Sequence, residues 1–340
     1  MKPIAEETLD LLLARLLGHS RCLALIESVA IPESLRKIAK HRVSRAQLAM
    51  VLNLLLFEDL LRRVPWAQAY VRDQVAEGRR VIHDHGALRT VKGTLGGGLP
   101  PGQAAFTRLL EPLGYALAED YPLERLAMTG HAYRHQDFPE ELPQFFLSEL
   151  HPERFSPAFQ AATTRILAST RDPLPVPALA LLWELQRQGD LAIEESLALL
   201  PDLAACFGRQ HADPGLSDYE AVMTESPEMA WIATEGNAFN HATDRVKDVM
   251  HLAEAQKAKG RPMKDKVETS ASGRVLQTAF RAAEVERVFL DAGGQRVLRR
   301  VPGSFFEFIT RRPEPDGRLD LRFDTSNAQG IFKMTSAEAS

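Results

Sequence analysis

One pattern constrains this 340-residue chain more than any other: the order strand, helix, strand, strand, strand occurs twice. The first copy opens at residues 81–91, a run that is apolar at both ends. A helix is predicted over 103–113, where Phe106, Leu109, Leu110 and Leu113 recur at helical spacing. Extended segments follow around 115–118, 125–133 and 144–150. The second copy starts with a strand at 239–247. Its helix carries Val249, Leu252 and Ala253 on one face and stops at Gly260. Extended segments then run over 266–269, 275–282 and, beyond a hairpin at Ala292-Gly293-Gly294, 304–311. Side-chain identity between the copies is slight, so the repeat is one of pattern. Two βαβββ modules closing side by side predict an α+β fold with a curved sheet around a roomy interior.

The remaining sequence reads as helix. Residues 1–80 contain a leucine stripe at positions 9, 12, 13, 16 and 17. A second helix should start at Ser44, with Gln47 completing a capping box, and end at Arg63 before Pro65. A third piece is predicted over 66–77. Residues 151–235 return to helical periodicity, clearest at 179–188 and 193–200 and broken at Pro173, Pro175 and Pro177. This reads as an insertion without a catalytic cluster, in which His211 and Asp213 are expected at the surface. The organisation expected is therefore 1–80 helical, 81–150 first module, 151–235 insertion, 236–312 second module and 313–340 tail.

The chemistry begins in the strand at 81–91. Side chains alternate along a strand, so His83 and His85 are expected to share one face, with Asp84 on the other. Arg89 lies two pleats beyond His85 on that face. An imidazole and a guanidinium together suit a metal ion and an anionic ligand. A packed or surface histidine remains the plainer alternative.

Several function classes are disfavoured. Net charge is -4 and no dense Lys/Arg run occurs, which argues against nucleic-acid binding. The glycine-rich stretch 96–102 lacks both the ending of a phosphate loop and the spacing of a dinucleotide fold, so a loop before a helix is expected. Cys22 and Cys206 cannot form a framework and read as reduced and buried. No signal-peptide core is seen, and no apolar run approaches the roughly 18 residues of a membrane span. A soluble cytoplasmic protein is expected.

Paired βαβββ modules resemble the vicinal oxygen chelate, or glyoxalase, architecture, in which metal ligands come from first and last strands. His85 and His241 fall on the two first strands, and Glu307 on the last strand of the second module. Matching Phe145-Phe146 to Phe305-Phe306 puts Leu147 at the place of Glu307; Glu149 would share that face as a possible fourth ligand. Two imidazoles and a carboxylate form the facial triad of non-haem Fe(II) oxygenases, with positions open for substrate and O2. A buried carboxylate between Phe306 and Phe308 needs a partner, which a metal supplies and a salt bridge could also supply.

Three motifs make the resemblance specific. His85-Gly86-Ala87-Leu88-Arg89, Asn240-His241 with the strand end Arg245-Val246, and Phe306-Glu307-Phe308-Ile309 are similar to the metal motifs of the 2-oxoadipate dioxygenase/decarboxylase family, which includes D-2-hydroxyglutarate synthases. The segments 273–279 and 327–332 are also similar to family segments, although longer members continue beyond this length. The resemblance implies Fe(II), or another divalent metal as isolated, held by His85, His241 and Glu307. It implies a small-molecule 2-oxo acid and O2 as reactants, and for 2-oxoadipate the products 2-hydroxyglutarate and CO2. Arg89 would grip a substrate carboxylate and Gln277 would hydrogen-bond the substrate or the residues behind the ligands. The His-Gly-Ala-x-Arg register favours His85 over His83 as ligand. A glyoxalase-type metal-dependent lyase or isomerase is the alternative, and the oligomeric state is open.

Overall fold

The computed structural model describes residues 7–36, 41–93 and 98–323. The chain opens with helices α1 (Thr8–Leu17) and α2 (His19–Ser28), strand β1 (Arg42–Ser44), then α3 (Arg45–Arg63) and α4 (Pro65–Ala76). The capping box forms as expected: the Gln47 amide donates to Ser44 Oγ (3.3 Å) and the Ser44 amide to Gln47 Oε1 (3.1 Å). Two orphan donors are thereby satisfied at the start of a largely buried helix. The leucine stripe does not announce α2, which Gly18, at φ +81°, turns away from α1.

The first module comprises β2 (His83–Val91), α5 (Ala104–Leu110), β3 (Tyr115–Leu123), β4 (Met128–His135) and β5 (Gln144–Leu150). Gly96 and Gly97 of the glycine-rich stretch lie outside the described residues. Next come α6 (Pro157–Leu167), α7 (Val176–Gln188), β6 (Asp190–Ala192), α8 (Ile193–Ala205), α9 (Leu216–Met223) and α10 (Pro227–Glu235). The second module holds β7 (Phe239–Arg245), α11 (Val249–Ala258), β8 (Glu268–Thr269), β9 (Val275–Ala279), the strands β10 (Glu284–Leu290) and β11 (Arg296–Pro302), and β12 (Phe305–Arg311).

Eight strands form one strongly curled sheet in the order β3-β4-β5-β2-β7-β12-β9-β8. Its two halves run outward from the antiparallel β2–β7 pair, each first strand being parallel to its module's last strand. The expected hairpin at residues 292–294 is present, but β10 and β11 form a two-stranded sheet of their own, outside the curled sheet. The β1–β6 pair ties the N-terminal helices to the 151–235 segment.

Each sheet face has its own partners. Leu88, Phe145, Leu147, Phe239, Phe306 and Phe308 pack against α3, α5 and the neighbouring helices in the largest hydrophobic cluster. Burying side chains of that size contributes about 1.5–3 kcal/mol each. The other face carries the polar residues of interest and a small cluster of Ala87, Tyr121, Ala132 and Phe146, with Phe323 against it. At one end, α6, α9, α10 and the β10–β11 hairpin pack on Val91 and Leu150. Cys22 and Cys206 are free and buried. His211 is not at the surface: it is buried, and its Nε2 lies 3.0 Å from the Ala233 carbonyl of α10, which packs over it. Asp213 is partly exposed and accepts from Arg209. Among the described residues no helix is long and apolar enough to cross a membrane.

Candidate metal centre

Both central strands are irregular at one place, and the irregularity aims their histidines. Between His83 and His85 of β2, and between His241 and Phe239 of β7, the pairing slips by one residue. Asp84 and Asn240 are the extra residues, so each histidine is preceded by a β-bulge. A bulge cancels strict alternation, and each bulged side chain turns to the ring that follows it. Asp84 Oδ1 lies 2.8 Å from His85 Nδ1, and the Asn240 carboxamide nitrogen 3.3 Å from His241 Nδ1. A carboxylate only accepts, so His85 carries its proton on Nδ1 and points Nε2 into the site. The Asn240 Oδ1 has no partner among the described residues, and with that oxygen turned to Nδ1, His241 presents Nε2 in the same way.

Glu307 completes the group from β12. Its Oε1 is 3.8 Å from His85 Nε2 and its Oε2 is 3.5 Å from His241 Nε2. One donor atom from each of the three residues lies within 4.8 Å of the others, a grouping that could hold a metal ion. All three are buried, Glu307 with 1% exposure. Neither carboxylate oxygen accepts a hydrogen bond within the described residues. Burial, then the charges of Glu268 and Asp84, push the Glu307 pKa well above the ordinary carboxylate range. Burial also pulls His85 and, much further, His241 below the ordinary imidazole value. Two neutral imidazoles and an orphaned buried carboxyl fit a divalent cation, which would supply the missing positive charge.

The residues behind the ligands fix the geometry. Burial raises the Asp84 pKa, but Arg311 and His85 outweigh it and hold the group ionised. Arg311 donates to Asp84 through Nε (2.9 Å) and Nη2 (2.9 Å), with both partners buried. Its Nη1 donates to the carbonyls of Asp320 and Arg322, so the segment after β12 is tied to the same carboxylate. That segment brings the Phe323 ring to 4.9 Å from His85 and 4.7 Å from Phe146. Phe323 thus packs between the His85 imidazole and the Phe146 ring.

The other expected residues sort clearly. Arg89 is fully buried on the ligand face, and its positive charge helps to hold down the His241 pKa. Gln277 pairs with Ile309, two residues beyond Glu307, and lies on the Glu307 side of the sheet. His83 does not share the His85 face. The Asp84 bulge turns it to the helix-covered side, where its ring is 5.1 Å from Phe57. Glu149 also lies away from the site. It accepts from the Gln103 amide at 2.8 Å and sits 3.8 Å from His131 Nε2. The match of Phe145-Phe146 to Phe305-Phe306 is off by one. Because His85 pairs with Gln144 and His241 with Phe305, the counterpart of Glu307 is Phe146, not Leu147.

Asp84, Asn240, Arg311 and Phe323 were not singled out as site residues from the sequence. One signal was available for two of them: both ligand histidines follow an Asx residue, at Asp84-His85 and Asn240-His241. The resembling segment 327–332 lies outside the described residues.

A family model described as 2-oxoadipate dioxygenase/decarboxylase matches residues 54–333. A structure of a protein from Ralstonia eutropha JMP134, described as of the glyoxalase superfamily, is 55% identical with a TM-score of 0.90, over 93% of this chain and 98% of that one. The hydroxyglutarate synthase of Oryza sativa in complex with 2-oxoadipate is 18% identical with a TM-score of 0.65, over 92% and 96%. The hydroxyglutarate synthase of Pseudomonas putida in complex with 2-oxoadipate is 21% identical with a TM-score of 0.57, over 88% and 75%. The last two likenesses bear on the fold alone. No curated protein matches the chain.

Proposed function

The chain belongs to the 2-oxoadipate dioxygenase/decarboxylase family, and from that membership we propose that it is an Fe(II)-dependent enzyme converting a 2-oxo acid and O2 to a shortened 2-hydroxy acid and CO2. The substrate proposed is 2-oxoadipate, which with O2 balances to 2-hydroxyglutarate and CO2. The observation that carries this reading is the buried His85, His241 and Glu307 group, with a phenyl ring where the sheet could have offered a fourth ligand. A three-ligand site leaves positions for a chelating 2-oxo acid and O2, whereas a closed site would not.

In this reading His85, His241 and Glu307 hold Fe(II), which when bound supplies a Lewis acid and the capacity to activate O2. Asp84 and Asn240 keep the two rings in register and their Nε2 atoms turned inward. Phe146 and Phe323 exclude water from one side of the reacting atoms. Arg89 binds the distal carboxylate of the substrate with two parallel charge-assisted hydrogen bonds, a geometry lysine reproduces poorly. Gln277 hydrogen-bonds the substrate from β9.

The test is anaerobic loading with Fe(II), then oxygen electrode measurements across a series of 2-oxo acids. Oxygen uptake should require a 2-oxo acid, match CO2 release mole for mole, and need neither added 2-oxoglutarate nor a nicotinamide. Arg89→Met should keep its iron. It should lose about ten- to 150-fold in kcat/KM on 2-oxoadipate, the worth of a charged hydrogen bond. Turnover of a glutathione hemithioacetal under nitrogen, with no uptake on 2-oxo acids, would replace this reading with a glyoxalase-type lyase or isomerase.

A further inference from the structure

Behind Arg89 lies a residue of the 151–235 segment to which no role has been given. The Arg89 guanidinium carbon sits 5.0 Å from the centroid of the Trp231 ring, with both residues buried. The indole is fixed at its far edge, where Nε1 donates to the Gly303 carbonyl at 3.0 Å, two residues before β12. Arg89 is fixed at its backbone, where Asn237 Nδ2 donates to its carbonyl at 2.7 Å. Glu228, buried one helical turn before Trp231 on α10, is the charge that favours the cationic form. Burial lowers the Arg89 pKa to about 10, so the group remains charged at neutral pH.

We infer that Trp231 is a specificity-determining positioning residue, which holds the Arg89 guanidinium in place and so sets the site's preference for a substrate with a second carboxylate. A guanidinium offers five N–H donors in a fixed fork, so fixing its position fixes where a carboxylate can be met. A planar cation over an indole in a desolvated place is also strongly attracted to the ring. The indole, clamped to the backbone beside β12, holds the guanidinium at a set place relative to Glu307 on that strand. The distance from the metal ligands to the clamp is then a property of the fold and not of a flexible side chain. Substrates whose second carboxylate falls at that distance are favoured. The 151–235 segment thereby contributes to selectivity without touching the metal ligands.

This inference rests on Arg89 being the carboxylate clamp. The experiment compares Trp231→Leu, which removes the ring, with Trp231→Phe, which keeps a π face while losing the same Nε1 bond. 2-Oxoadipate is set against 2-oxohexanoate, equal in length but lacking the second carboxylate. Trp231→Leu should raise KM for 2-oxoadipate about tenfold or more, with little change in kcat, in iron content or in turnover of 2-oxohexanoate. Trp231→Phe should recover most of that loss. An equal loss on both acids, or no difference between Leu and Phe, would overturn the role given to Trp231. Wild-type protein that consumes no oxygen on either acid would instead overturn the parent reading. A second measurement then still decides: the chain has three tryptophans, so replacing Trp66 and Trp183 by Phe leaves Trp231 as the sole indole emitter. Saturable change in its emission with 2-oxoadipate, absent with 2-oxohexanoate and absent after Arg89→Met, supports the inference. No change with either acid overturns it.

Discussion

The two βαβββ halves present the same strands to the site, yet they do not present the same atoms. Each first strand carries a bulge and then a histidine, and each last strand lies parallel beside it. At the matching places the first half has Asp84, Gly86 and Phe146, and the second has Asn240, Ala242 and Glu307. A doubled backbone therefore offers four inward positions close to one point, and this chain fills three of them with side chains that could bind a metal. Where Glu307 stands in one half, a phenyl ring stands in the other. The comparison teaches that the fold sets where a metal can sit, while one side chain decides how open that metal is.

The largest effects should come from exchanging those two side chains. Glu307→Ala removes one of three ligands, and after dialysis elemental analysis should find the metal lost. Phe146→Glu places a carboxylate at the matching position of the first half. That variant should keep its metal but lose oxygen uptake, because a fourth protein ligand takes a position meant for a reactant. Full metal content in Glu307→Ala would break the comparison at its root. Acid should weaken metal binding through Glu307 first: burial pulls both imidazoles below their ordinary value and pushes the carboxyl well above its ordinary range. Affinity should thus fall about tenfold per pH unit below that raised pKa, a slope of one proton.

Much of this site was legible in the sequence, for identifiable reasons. The grouping of His85, His241 and Glu307 followed from a doubled pattern and three short motifs, since these residues are far apart in sequence but fall on first and last strands of the repeat. The start of α3 was legible because a capping box is a local interaction three residues long. The bulges were not, because a bulge is defined by the partner strand: nothing in residues 83–85 alone says that β7 advances one residue while β2 advances two. The same omission put His83 on the wrong face, whereas the Phe145-Phe146 match slid by one because two Phe-Phe pairs were aligned without the strand pairing that sets their register. His211 was expected at the surface because no catalytic cluster surrounds it in sequence, and α10 covers it only in three dimensions.

A smaller effect should separate the two bulged residues. Asp84 is tied to a buried arginine as well as to its histidine, whereas Asn240 faces its histidine alone among the described residues. Asp84→Asn leaves the buried Arg311 without its full counter-charge, which typically costs 3–5 kcal/mol when a buried pair is broken. It also releases the residue that ties the segment ending in Phe323. Asn240→Ala should cost little stability and weaken metal binding by about ten- to 100-fold, the usual toll for losing a partner behind a ligand. Denaturant unfolding of the metal-free proteins together with metal titration reads both. Equal destabilisation by the two substitutions would mean that Arg311 is neutralised by another group and that the halves are more alike than their contacts suggest.

The smallest effect concerns Gly86 and Ala242, which face each other across the β2–β7 pair. Both lie on the helix-covered side, but a methyl group at position 86 would run into the Phe239 ring. That ring cannot easily give way, since Phe145 and Phe207 each lie 5.8 Å from it. Gly86→Ala should therefore overpack the core and cost about 1–3 kcal/mol. Ala242→Gly should cost less: one buried methyl, about 0.8 kcal/mol, plus the backbone freedom of a glycine in a strand, about 0.5–1 kcal/mol. Phe239→Leu removes the edge of the ring that the new methyl meets. In the double variant Gly86→Ala, Phe239→Leu the two costs should then fail to add, by roughly 0.5 kcal/mol or more in the favourable direction. Thermal or denaturant unfolding of the four proteins measures the coupling directly. Strict additivity would mean that Phe239 is not what excludes a side chain at position 86, and that the glycine answers to the bulge before His85 instead.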